Sequence, residues 1–246
     1  MSRMPTFPMH THTTLRVVLH SVNCMPPKNT IREIPAEHVA AASVYLRNQD
    51  RTLRRLIDAL GPCQINLDPE PFPVLVRSII AQQISTAAAS SIGKRLAALR
   101  GRKKLSAQWV HSCTDEELRG CGLSPQKLRY VRDLADKVVT KTVDVATIHL
   151  RPDEEVIAEL TQVLGIGLWT AQMFLIFSLG RLDVLPTGDL GVRAAIEREY
   201  QLPAHPTPNQ CEEIAAPWRP YASIASWYMW RSSDAKLTPE QQEMWG

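Results

Sequence analysis

Leu160-Thr-Gln-Val-Leu-Gly-Ile-Gly-Leu-Trp-Thr-Ala-Gln-Met-Phe-Leu-Ile176 reads as a helix, a tight Gly165-Ile166-Gly167 turn and a second helix with an apolar face. Both glycines are expected to permit positive φ and to leave bare backbone beside whatever lies outside the turn. The second helix begins at that turn, so its first amides point outward without partners and its dipole favours an anion. The stretch is therefore a phosphate site that needs no basic side chain, although G-x-G alone also marks a plain tight turn between helices.

Outward from this hairpin, helical periodicity runs through most of the chain: 36–48, 51–60, 72–83, 86–100, 106–111, 115–120, 125–140, 153–163, 168–179, 189–198, 208–216 and 220–231. Strand signals are nearly absent, so the fold class is all-α. Thr114-Asp-Glu-Glu117 reads as a capping box, and Ser124-Pro125 as a cap followed by proline at the first helical position. Residues 1–35 scatter methionine and proline among Thr, His and Asn without a period and are expected to be a flexible tail, and residues 235–246 a C-terminal tail.

With 246 residues, 44% of them apolar, the chain can bury a sizeable core. No window holds the ~18 consecutive apolar residues that a membrane span needs. The five cysteines are odd in number, scattered and without a C-x-x-C pair, which argues against a disulfide framework or a cysteine-ligated metal. The apolar piece Leu15 to Leu19 is interrupted by Arg16 and lacks the core of a secretory signal, so an intracellular location is expected. The formal charge is only +3, but between Lys94 and Lys141 twelve basic residues face five acidic ones. That asymmetry suits a phosphate backbone, or else a solvated helical face.

Further along, Val184-Leu-Pro-Thr-Gly-Asp-Leu-Gly-Val-Arg193 places Asp189 after a Pro/Gly turn and just inside a new helix, with Thr187 or Gly188 as its N-cap. On its own such a carboxylate merely complements a helix N-terminus. Taken with Leu164-Gly-Ile-Gly-Leu-Trp-Thr-Ala171, however, it resembles the helix-hairpin-helix (HhH-GPD) DNA glycosylase superfamily, within it most closely the alkylation-repair branch, 3-methyladenine DNA glycosylase II. Pro71-Phe-Pro-Val-Leu-Val-Arg-Ser-Ile-Ile-Ala-Gln-Gln-Ile-Ser85 resembles that branch's helix and DNA-wedge loop. Pro217-Trp-Arg-Pro-Tyr-Ala-Ser-Ile-Ala-Ser-Trp-Tyr228 resembles its C-terminal helix. The likeness spans residues 36–234 and implies two helical lobes flanking a cleft, 36–70 plus 191–234 in one and 72–190 in the other, without an N-terminal β domain.

The resemblance implies a function as well. An alkylated purine of the 3-methyladenine type would be flipped out of duplex DNA and released by hydrolysis, starting base excision repair. Asp189 would be the catalytic carboxylate, stabilising positive charge on the deoxyribose and orienting or deprotonating water. Trp169 stands where lyase members carry a lysine; an indole forms no Schiff base, so a monofunctional enzyme is expected. Trp169, Trp227, Tyr221 and Met173 would form the base pocket, electron-rich rings suiting a cationic purine.

Expected DNA contacts are Gln82, Gln83, Ile84 and Ser85 in the wedge loop, Gly165, Gly167 and Thr170 at the hairpin, Arg193, and Lys127. Which of Gln82, Gln83 and Ile84 enters the stack stays open. The hairpin carbonyls of Thr161, Val163 and Ile166 would hold a monovalent cation, sodium or potassium; no other cofactor is required, and with Cys211 alone near the C-terminus no iron–sulfur cluster is expected. The protein would act as a monomer on damaged double-stranded DNA, in the cytoplasm or nucleoid of a bacterium or in a nucleus. Two rival readings remain: a non-catalytic duplex-binding module built on the same hairpin, and a bifunctional glycosylase/lyase, which Trp169 disfavours.

Overall fold

Good caps and apolar faces give the described residues twelve α-helices and two 3₁₀ turns. The structure, a computed structural model, describes residues 34–234. The helices are α1 (Ala36–Gln49), α2 (Arg51–Leu60), α3 (Pro71–Ala81), α4 (Thr86–Arg100), α5 (Ala107–Ser112), α6 (Asp115–Gly120), α7 (Pro125–Val139), α8 (Asp153–Leu160), α9 (Leu168–Phe177), α10 (Leu190–Glu199), α11 (Pro208–Ala215) and α12 (Ala222–Asp234). No strand occurs among the described residues, and none of their helices is long and apolar enough to cross a membrane. The two expected tails lie outside the described residues, apart from Ile34 and Pro35.

Side-chain caps fix many of the boundaries. Asp50, Ser85, Ser106 and Ser124 each accept an amide of the helix they precede. Thr114 with Glu117, and Thr207 with Gln210, close full capping boxes. Each such cap contributes about 1 kcal/mol, enough to decide where a short helix starts.

Three helices end two or three residues before the helical spans read from the sequence: 72–83 stops at Ala81, 153–163 at Leu160 and 168–179 at Phe177. The first stop has a local cause. Ser85 caps α4, so the chain must turn between Ala81 and Ser85, and Gln83 takes a left-handed φ of 57° to do it.

Packing is densest within two sets of helices. In one, α2 packs on α1 and α12, and α12 on α10. In the other, α3 packs on α4, α7 and α9, α7 on α5 and α6, and α8 on α9. The second set is centred on α3, with Phe72, Leu75, Val76, Ile79 and Ile80 buried, and on α9, with Ala171, Phe174, Leu175 and Ile176 buried. In the first set Trp218, fully buried, donates its indole N–H to Asp50 Oδ2 at 3.3 Å and to the Tyr200 hydroxyl at 3.2 Å. Tyr200 itself donates to Asp50 Oδ2 at 2.6 Å.

The four cysteines among the described residues are buried free thiols. Burial pushes the Cys63 thiol up to about 12, and raises those of Cys113, Cys121 and Cys211 as well.

Candidate functional site

The loop 182–189 is moored to the start of α12 before it delivers its carboxylate. Ser223 N–H donates to Leu182 O at 2.9 Å, and Val184 N–H to Ser223 Oγ at 2.9 Å. Ala222 N–H reaches Asp183 Oδ1 at 3.2 Å, and Gln172 on α9 reaches Leu185 O at 3.2 Å. Asp189 leaves this loop as the N-cap of α10, its Oδ1 accepting Val192 N–H at 2.8 Å. This corrects the expectation of Thr187 or Gly188 as cap. The aspartate's own geometry, φ −77° and ψ 120°, is the extended one that a cap adopts.

Two indoles complete the carboxylate's surroundings. Trp230 Nε1 donates to Oδ1 at 2.9 Å, and Trp169 Nε1 to Oδ2 at 2.7 Å. Trp230 is backed by Phe177, ring centroids 5.7 Å apart. Gly191 makes room for this pair: a Cβ there would stand 3.1 Å from Asp189 Oδ1 and 3.3 Å from the Trp230 ring. Trp169 is 47% exposed, although it is held by its nitrogen. Its other surroundings are a cleft of about 480 Å³ lined by Ser78, Ala81, Gln82, Gln83, Trp169, Thr170 and Met173.

Most of the expected site residues come together here, and some do not. Trp169 and Met173 line the cleft, whereas Tyr221 packs edge-on against Tyr45 at 5.4 Å. Trp227 meets Tyr228 at 5.0 Å and carries the Arg231 guanidinium 5.9 Å above its ring. The tryptophan of α12 that reaches Asp189 is Trp230, three residues further along the helix, a role the sequence reading did not assign. Arg193 donates to Pro206 O at 2.9 Å rather than to the Asp189 carboxylate.

The hairpin follows its expected shape with one change. Gly165 has φ +80°, but Gly167 is extended at φ −99°, ψ −179°, so only one glycine uses its conformational freedom. Gly167 nevertheless faces open space, and α9 starts there without a side-chain cap, leaving its first amides presented outward. Gly165 is also a close approach, because a Cβ would meet the Tyr130 ring at 2.2 Å. Gly165→Ala is expected to cost about 1–3 kcal/mol through overpacking and left-handed strain, read as a lowered Tm.

In the wedge loop Gln82 Nε2 donates to Gly165 O at 2.8 Å, joining loop and hairpin. Gln83 and Ile84 are exposed, and Ser85 is engaged as the α4 cap. Lys127 donates its ammonium to Ile80 O and, at 2.8 Å, to Gln82 O. Burial lowers its pKa. Three further cations of the basic stretch also have internal partners: Arg95 on Cys121 O, Arg132 on Asp115 and two carbonyls, and Lys137 on Asp133. Lys94, Arg102, Lys103 and Lys104 stay exposed.

Residues 76–220 match the family described as HhH-GPD superfamily base excision DNA repair protein. The DNA-3-methyladenine glycosylase 1 of Schizosaccharomyces pombe is 32% identical over 200 residues, covering 78% of this chain and 86% of that protein. The S. pombe 3-methyladenine DNA glycosylase solved in complex with abasic DNA matches with a TM-score of 0.71 at 28% identity, over 80% of this chain and 98% of its own. The DNA-3-methyladenine glycosidase of Bacillus halodurans matches with a TM-score of 0.72 at 34% identity, over 78% and 88%. A sequence match across more than half the chain, carried on the helical frame of these solved proteins, makes this protein a member of the HhH-GPD superfamily of base excision DNA repair proteins.

Proposed function

We propose that the chain is a DNA glycosylase that flips alkylated purines of the 3-methyladenine type out of duplex DNA and hydrolyses their N-glycosidic bond, leaving an abasic site. The observation that carries this reading is the Asp189 carboxylate, fixed by two indole N–H groups and an amide, one of the indoles, Trp169, also walling the neighbouring cleft. As the glycosidic bond breaks, positive charge develops on the deoxyribose, and a carboxylate already held in place stabilises it without reorganising. Val192 and Trp230 occupy both lone pairs of Oδ1, whereas Oδ2 accepts Trp169 and keeps a lone pair for an attacking water. An alkylated purine is cationic and a good leaving group, so the Trp169 face suits it by stacking and cation–π attraction. The uncapped amides of α9 hold a phosphate of the damaged strand, and exposed Lys94 to Lys104 add affinity that falls with salt.

The same reading makes the enzyme monofunctional, since the indole at Trp169 offers no amine for a Schiff base, and it would act as a monomer. A monovalent cation on the carbonyls of Thr161, Val163 and Ile166 would brace the hairpin. Val163 O already accepts Ile166 N–H at 3.0 Å and has a second lone pair to give.

The test is chromatography of free base released from methylated duplex DNA, with borohydride trapping on abasic DNA alongside. Release of 3-methyladenine with the strand intact and no trapped adduct is expected. Duplex binding with no base release identifies a non-catalytic module instead, and a trapped adduct identifies a lyase. Trp230→Phe, which keeps the ring and deletes the N–H, is expected to lower kcat about tenfold with KM little changed, because the carboxylate loses one of its three anchors.

A further inference from the structure

Three residues on one face of α7, spaced three apart, reach two loops that are eighty residues apart in sequence. Lys127 holds the Ile80 and Gln82 carbonyls, where α3 ends and the wedge loop begins. The Tyr130 ring lies against Gly165, its hydroxyl accepting Gln126 Nε2 at 2.6 Å. Asp133, neutralised by Lys137 at 2.6 Å, accepts Leu164 N–H on Oδ2 at 2.8 Å. The Gln82 to Gly165 hydrogen bond closes the circuit between loop and hairpin.

This arrangement answers a local need. The last carbonyls of α3 have no intrahelical partner, and an ammonium there supplies donors and complements the negative end of the helix dipole. Gln83 follows at φ 57°, a conformation that a non-glycine residue keeps only when its surroundings impose it. The Ser85 cap makes the chain turn here, and α7 and the hairpin hold that turn from outside the loop.

We propose that α7 is a template that sets the wedge loop against the hairpin, and that Lys127 is a positioning residue for the loop rather than a phosphate contact. The inference rests on the reading that this loop and hairpin grip DNA. Removing the staple frees Gln83 and Ile84 to relax, so insertion into the duplex fails while ordinary backbone affinity survives.

The experiment compares the full chain with Lys127→Met, which keeps the stem, and Lys127→Gln, which keeps a donor without the charge. Two readouts are taken: the salt dependence of binding to an abasic duplex, and the fluorescence of 2-aminopurine beside the abasic site, which reports unstacking. Lys127→Met is expected to lose most of the fluorescence change, with the salt slope unchanged. Lys127→Gln is expected to regain much of the signal, although it carries no charge. A salt slope reduced by about one in both variants, with normal unstacking in the bound complex, makes Lys127 a phosphate contact and overturns the proposal. Wild-type unstacking in both variants overturns it too. If circular dichroism shows Lys127→Met unfolded, slope and fluorescence of Lys127→Gln against wild type decide alone. Neither readout involves bond cleavage, so they stand apart from base release by the wild type, on which the proposed function depends.

Discussion

Asp189→Asn is expected to release alkylated base roughly 10²–10³ times more slowly than the wild type while unfolding at nearly the same temperature. The two halves of the result have separate causes. Asparagine caps a helix about as well as aspartate, so the bond from Val192 and the start of α10 survive. The charge that opposes the developing oxocarbenium does not. The amide also has one oxygen where the carboxylate has two, so either Trp169 or Trp230 must face an NH₂ group with its own N–H. Trp169, the more exposed, is the one that swings away. Single-turnover release on methylated duplex, with a melting curve of each protein, checks both halves. A variant that keeps its rate would remove Asp189 from the chemistry, and one that loses its stability would make the rate uninterpretable, which a good cap guards against.

Trp218→Ala is expected to cost about 3–5 kcal/mol, read as a shift in the denaturant midpoint. Trp218 is among the largest fully buried side chains, and its indole belongs to the cluster with Asp50 and Tyr200. Truncation leaves a cavity between α1 and the 216–218 turn and takes one donor from Asp50, which is left with Tyr200 and the Leu53 amide. Against a total stability of roughly 5–15 kcal/mol, that loss is enough to unfold an appreciable fraction at working temperature. A cost below about 1 kcal/mol would mean that the surrounding helices collapse into the gap.

What was legible in the sequence followed local chemistry. The Thr114 box, the Ser124-Pro125 start and the uncapped helix after Gly167 depend on near neighbours, and each appears as read. Asp189 was found through its Pro/Gly turn, though its role as the cap itself was not. Trp230 was missed because Trp227 lies on the same stretch of α12, and periodicity does not say which of two tryptophans a turn of helix brings to a loop forty residues away. The partner of Lys127 was invisible for a similar reason: a lysine among other basic residues reads as a DNA contact, and only the tertiary fold carries it to the end of α3. The stop at Ala81 carried no glycine or proline, and Gln82 and Gln83 after it are as compatible with a continuing helix as with a turn.

The buried thiols bear on the conditions under which the protein works. Agents that methylate purines also methylate sulfur, and they attack the thiolate far faster than the protonated thiol. Cys63, Cys113, Cys121 and Cys211 are each shielded from solvent and held protonated by burial. Among the described residues the sulfurs are thus kept in the less reactive form toward the class of reagent that alkylates DNA bases.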